Sequence, residues 1–234
     1  MQEIVHDLEH FSYTITHDLR APLRAMHGFA AMLDEDCRDQ LSAESRDYIR
    51  RITTAAARMD RLITDALSYS GTVRQEFAME PTDAGKLLRG MIDSYPVFQP
   101  PAAHIEIEGE LPLVLGNEAA LTQCFSNLLG NAVKFVAPGT VPRVRVRAER
   151  RGEFVRLWFD DNGIGIPPGM QARLFAMFQR LNKSYEGTGI GLALVKKVTE
   201  RMGGQVGVES EPGCGSRFWL ELKAASVVPS PLQS

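Results

Sequence analysis

His17 stands in the segment FSYTITHDLRAPLRAM and is followed directly by Asp18. An imidazole with one unprotonated ring nitrogen is a nucleophile, and a carboxylate beside it can hold the other N–H and take up the proton released on attack. Two residues turn a helix by about 200°. His17 therefore lies nearly opposite the apolar positions Ile15 and Leu19 and points to water. Pro22 removes the helical hydrogen bond to the carbonyl of Asp18 and bends the helix just past the nucleophile. Alone, an exposed histidine is ordinary solvated surface, so the reading depends on its company.

Three further strings supply that company. In FSNLLGNAVKF, Asn127, Asn131 and Lys134 recur at steps of four and three along one helix face whose opposite side is apolar. An amide oxygen suits Mg²⁺, and Lys134 offers a point charge for phosphate oxygens. In DDNGIGIP, Asp161 sits directly after a strand ending RLWFD, and Gly163 and Gly165 let backbone approach a flat ligand whose amine the carboxylate could read. In EGTGIGLALVKK, Gly187, Gly189 and Gly191 run into a helix start, where free N–H groups and the positive dipole end favour phosphate. The last string does not come after a strand in a βαβ unit, lacks a G-K-[ST] ending, and has no H-R-D or D-F-G downstream. Dinucleotide-binding and protein-kinase folds are thereby disfavoured.

The elements that must position these groups can be read from periodicity. Residues 3 to 70 hold almost no glycine and read as a helical hairpin broken near Arg38 to Leu41, with Ser42 capping the second helix and Ser70-Gly71 ending it. Ile4, Leu8, Phe11, Ile15, Leu19, Met26, Ala30 and Leu33 form one apolar stripe, and Ile49, Ile52, Ala56, Met59, Ile63 and Ala66 another. Two helices cannot cover faces this wide, so a second copy completing an antiparallel four-helix bundle is expected, making the chain a homodimer. Beyond Thr82 the pattern becomes α/β. Helices are expected over Ala84 to Tyr95, Glu118 to Val136 and Gly189 to Met202. Short strands fall around His104 to Glu108 and Leu113 to Leu115, a hairpin pairs Arg143 to Arg150 with Glu153 to Asp160 through Arg151-Gly152, and closing strands cover Val206 to Ser210 and Ser216 to Lys223. The fold class is multidomain: an all-α hairpin over residues 1–71, a linker over 72–81 carrying a short strand, a two-layer α/β domain over 82–223, and a Ser- and Pro-rich tail from Ala224 expected to be disordered.

Composition excludes several classes. Net charge is −3, 24% of residues are charged and no basic stripe exists, so nucleic acid and anionic membrane surfaces are not expected partners. No apolar run reaches spanning length and no signal peptide opens the chain, which points to cytoplasm, with membrane attachment left to any longer parent. Cys37, Cys124 and Cys214 are far apart and fit neither a disulfide framework nor a zinc site, so they read as reduced packing residues.

The order of the strings is more specific than any one of them. Asn127 to Asn131, Asp161 to Gly165, Phe175 to Phe178 and Gly187 to Gly191 resemble the N, G1, F and G2 boxes of the ATPase fold shared by histidine kinases, gyrase, mismatch-repair ATPases and a heat-shock chaperone. GCGSRFWLEL resembles that fold's closing glycine motif and last strand, and the His17 segment resembles the phosphoacceptor box of the histidine kinase dimerisation domain. The resemblance runs from about Glu3 to Leu222. It implies that His17 is the phosphoacceptor and Asp18 its general base. It also implies that Asp161 bonds the adenine amine, Asn131 binds Mg²⁺, and Asn127 and Lys134 assist at the phosphates. Gly187, Thr188, Gly189, Ile190, Gly191 and Leu192 would wrap the triphosphate, with Phe135 and Ile166 lining the base pocket. Pro167 to Glu186 would form the lid, with Arg180 and Lys183 as phosphate contacts. The lid's FQRLN…YEGTG wording resembles kinases attached to phytochrome or PAS sensors. ATP and Mg²⁺ would be the cofactors and a response-regulator receiver domain the partner. The helical register already present at Gln2 to His10 implies an upstream sensor outside this chain. An ATP-hydrolysing clamp of the gyrase or chaperone kind is the alternative, but Asn127 stands where such enzymes carry a water-orienting Glu. Ala21 stands four residues past the acceptor, where many relatives place Thr or Asn to dephosphorylate the partner, so phosphatase activity is not expected.

Overall fold

A computed structural model describes residues 20–37, 40–74, 78–181, 185 and 187–225. His17, Asp18 and Lys183, the stripe positions up to Leu19, and the tail beyond residue 225 lie outside the described residues. The chain divides into two compact units at Arg74/Gln75.

The first unit is a pair of helices, α1, helical from residue 20 to 36, and α2, Ala43–Arg74. Ser42 Oγ accepts the Ser45 N–H at 3.1 Å, capping α2 as expected. The helix does not stop at Ser70-Gly71 but continues through Gly71 to Arg74. A glycine in a helix interior costs only about 1 kcal/mol relative to alanine, which a helix of 32 residues absorbs. Leu23, Ala56 and Ile63 form the small buried core, and Arg20 donates to Thr64 Oγ1 at 3.1 Å. Met26, Phe29, Met32 and Leu33 on α1, with Tyr48, Ile52 and Met59 on α2, each remain about half exposed or more. The hairpin thus buries one seam and leaves a second apolar face open, as the width of the stripes predicted.

The second unit is a two-layer α/β sandwich. Its main sheet runs β2-β4-β5-β7-β6, built from β2 (His104–Glu108), β4 (Arg143–Arg151), β5 (Phe154–Asp161), β7 (Ser216–Lys223) and β6 (Gln205–Ser210). Among the described residues only β2 and β4 pair in parallel. A small antiparallel pair joins β1 (Glu80–Thr82) to β3 (Val114–Gly116). Strand alternation sends Val144, Val146, Val155, Leu157, Phe159, Phe218, Leu220 and Leu222 to one face, all buried. Helices α4 (Glu118–Lys134) and α6 (Gly191–Arg201) pack on that face and on each other, and α3 (Ala84–Ser94) packs on α4. Asp83 caps α3 through Lys86 N at 2.8 Å and Asn117 caps α4 through Ala120 N at 3.1 Å. The opposite sheet face is polar except for Phe154, Trp158 and Trp219, the tryptophans interleaved with arginines, Arg156 lying 3.7 Å from the Trp219 ring centre. Ala224 and Ala225, expected in the tail, are instead tied down by hydrogen bonds to Glu153 O at 2.7 Å and Leu113 O at 3.0 Å. The backbone beside β3 and β5 offers those carbonyls whatever the side chains are.

Candidate functional site

Helix α4 carries a polar row beside its buried face. Asn127, Asn131 and Lys134 are each half-buried, and Lys134 Nζ lies 3.4 Å from Asn131 Oδ1. The helix ends on Phe135, whose ring sits under the ammonium at 4.3 Å. Asn127 donates from Nδ2 to Gln123 O at 2.8 Å, leaving its oxygen turned toward α6.

The glycine run meets that row. A Cβ on Gly191 would fall 2.3 Å from Asn127 Oδ1, and one on Gly187 would fall 3.4 Å from Lys134 Nζ. Gly189 is left-handed at φ 77°, and its carbonyl accepts the Phe178 N–H at 2.9 Å, so the run is also braced against the segment before it. Ile190 is fully buried and anchors the start of α6, with Leu194 N donating back to its carbonyl at 2.9 Å. The helix begins at Gly191 rather than at Gly189. The left-handed conformation at Gly189 cannot belong to a right-handed helix. Thr188 Oγ1 is 3.4 Å from Ile190 N, and Leu192 is half-buried in the first turn.

Asp161 ends β5, and its Oδ1 accepts two backbone N–H groups, from Gly163 at 2.8 Å and Ser216 at 3.0 Å. Burial pushes its carboxyl up to about 6 despite both of those bonds, with the neighbouring Asp160 adding to the rise. The Asp161 loop and α4 touch directly. A Cβ on Gly163 would lie 2.5 Å from Phe135 O, and the same carbonyl accepts the Ile164 N–H at 2.9 Å. Gly165, at φ 70°, leaves no room for a Cβ, which would sit 1.9 Å from Glu211 O. Ile166 is buried and its N–H donates to Ser210 Oγ at 2.9 Å.

Asn127, Asn131, Lys134, Phe135, Asp161, Gly163 and the Gly187 to Gly191 run are therefore gathered in one region of the second unit. The segment expected to form the lid holds a short helix, α5 (Pro168–Gln171). Arg180 donates to Tyr185 O at 2.8 Å rather than standing solely toward a phosphate site. Two contributors escape a reading of the sequence. Ser216 holds Asp161 through its N–H, which requires the β5–β7 register that sets the two opposite one another. Tyr185 packs its ring on Phe135 at 5.2 Å, and only its aromatic character in a polar segment hints at this.

At Gly163, Gly189 and Gly191 a Cβ would collide with neighbouring protein atoms, so glycine is what lets these segments pack together, and the helix start that the glycine run leads into has the free N–H groups that suit a phosphate. Among the described residues no cluster of three or more His, Cys, Asp or Glu could hold a metal alone. The lone Asn131 oxygen fits a Mg²⁺ whose other ligands are phosphate oxygens and water.

Comparison with known proteins matches residues 116–226 to the histidine kinase, DNA gyrase B and HSP90-like ATPase family and residues 2–71 to the His Kinase A (phospho-acceptor) domain. The chain belongs to the sensor histidine kinases. The phytochrome-like protein Cph1 of Synechocystis carries the same region, 32% identical over 92% of this chain and 29% of its own length. The sensor histidine kinase AruS of Pseudomonas aeruginosa is 35% identical over 92% of this chain and 22% of its own. The crystal structure of full-length ShkA in complex with AMPPNP superposes with a TM-score of 0.69 at 31% identity, covering 93% of this chain and 46% of that one. This chain thus spans about a third or less of the two curated relatives. The similarity to a phytochrome-like kinase agrees with the wording of the lid. Among the described residues no helix is long and apolar enough to cross a membrane.

Proposed function

We propose that this chain is the catalytic core of a longer sensor kinase, transferring the γ-phosphoryl group of ATP·Mg to His17 and then to an aspartate of a response-regulator receiver. The observation that carries the reading is the meeting of the Asn127 to Lys134 row with the Gly187 to Gly191 run, on the same helix whose end holds the Asp161 loop.

In this reading Asp161 accepts the adenine amine and Phe135 stacks at the base. Lys134 and the backbone of Gly187 to Leu192 neutralise the phosphates. Asn131 would hold Mg²⁺, which would supply charge neutralisation at the phosphates. A ring nitrogen of His17 forms the P–N bond as the bond to the ADP oxygen breaks, and Asp18 holds the other ring N–H. The open apolar face of α1 and α2 is covered by a second copy, which gives the homodimer.

A transfer assay tests the second step. Chain labelled with γ-labelled ATP, freed of nucleotide and mixed with a cognate receiver domain, passes its label to the receiver within minutes. Label released only as inorganic phosphate, in proportion to ATP turnover, would instead support the clamp-like hydrolase.

A further inference from the structure

The two backbone carbonyls just past α4 have unlike partners. Phe135 O takes the Ile164 N–H from the Asp161 loop, and the next carbonyl, Val136 O, takes the phenol hydroxyl of Tyr185 at 2.8 Å. Helix C-termini leave such carbonyls without intrahelical donors, so a side-chain donor arriving there has a ready place. Tyr185 is held three ways. Its hydroxyl donates to Val136 O, its ring lies 5.2 Å from that of Phe135 at a 54° tilt, and its carbonyl accepts the Arg180 guanidinium at 2.8 Å. A tilted aromatic pair at this spacing is attractive beyond simple burial. Phe135 also has the Lys134 ammonium at 4.3 Å from its ring centre. The Phe135 ring is therefore fixed by Lys134 and Tyr185. Two residues on, Gly187 enters the glycine run beside Lys134 Nζ.

We infer that Tyr185 is a positioning residue for nucleotide binding, which locks the Phe135 ring and the entry of the glycine run before ATP arrives. The inference rests on the nucleotide-site reading above and assigns Tyr185 no part in the chemical step. A ring and loop already ordered lose less freedom when the ligand binds, so removing the lock weakens affinity and leaves transfer from bound ATP unchanged. Tyr185→Phe keeps the ring and deletes the hydroxyl, whereas Tyr185→Leu deletes both attachments.

The test measures AMPPNP·Mg affinity by calorimetry and the His17 phosphorylation rate across ATP concentrations, on the full chain. Expected is a Kd raised about tenfold in Tyr185→Leu and about threefold in Tyr185→Phe, with the rate at saturating ATP within twofold of the unaltered chain. Melting without nucleotide identifies folded variants, and if Tyr185→Leu is unfolded the Tyr185→Phe result decides. An affinity unchanged in the folded variants overturns the inference, as does a loss confined to the saturating rate. If the unaltered chain binds no AMPPNP·Mg, the nucleotide-site reading itself fails, a different result from normal binding indifferent to Tyr185.

Discussion

The Phe135 carbonyl accepts the Ile164 N–H at 2.9 Å, so the helix bearing Asn127, Asn131 and Lys134 and the loop bearing Asp161 are joined by a hydrogen bond. Gly163 is the closest point of that joint, with Phe135 O 2.5 Å from where a Cβ would be. Gly163→Ala must push loop and helix apart. The expected result is at least a tenfold loss of ATP affinity by calorimetry together with about 1–3 kcal/mol of lost stability in urea.

Nucleotide affinity should depend on the charge of Asp161. In the proposed function the Asp161 carboxylate accepts the hydrogen bond of the adenine amine and its protonated form is a poorer acceptor, so binding is expected to be strongest above the raised value of about 6 and to fall as pH drops through it. Calorimetric titrations between pH 5 and 8 should show this decline in the unaltered chain, and Asp161→Asn should be weak throughout.

The same shift has the opposite sign for stability. Between its ordinary value of 3.8 and about 6, the folded chain keeps a proton that the unfolded chain has released. Stability from this group is present below the ordinary value and is lost as pH rises through about 6, by roughly 3 kcal/mol at most. Asp161→Asn should therefore unfold at higher urea than the unaltered chain at pH 7.5 and show a flatter pH dependence between 4 and 6. A variant less stable at neutral pH would contradict the burial argument.

On the sheet face opposite the helices, Gly207 lies under the Trp219 indole, where a Cβ would come within 2.3 Å of the ring. Gly207→Val should displace the indole from beneath Arg156 and cost about 1–3 kcal/mol in urea, leaving ATP affinity of the folded protein unchanged.

How much of the structure is legible in the sequence depends on how local each signal is. The Arg143–Arg151 and Phe154–Asp161 hairpin announces itself by alternation and one glycine turn, and the α4 row by steps of four and three within a single helix. The end of α2 is misplaced at Gly71 because a glycine stops a helix only when its backbone turns left-handed, and the residues beyond it decide whether that happens. Ser216 and Asp161 are 55 positions apart, and their bond exists only through the β5–β7 register. Tyr185 reaches Val136 across 49 positions, and no periodicity links them. Exposed Ala21 on α1 is legible by position alone, and it offers no group to orient water.

Lacking such a group, this chain is expected to leave a phosphorylated receiver intact when the two are mixed without ATP. Ala21→Thr is expected to speed loss of the phosphoryl group, monitored by phosphate-affinity gel electrophoresis. Rapid dephosphorylation by the unaltered chain would contradict the role drawn for this position.

In the proposed function, phosphorus passes from a nucleotide held at the Asp161 and glycine site to one imidazole. Incubation with γ-labelled ATP and Mg²⁺ should give an acid-labile, alkali-stable label on the chain that is absent from His17→Gln and from Asp161→Asn. Label that survives His17→Gln, or that withstands acid, would contradict it.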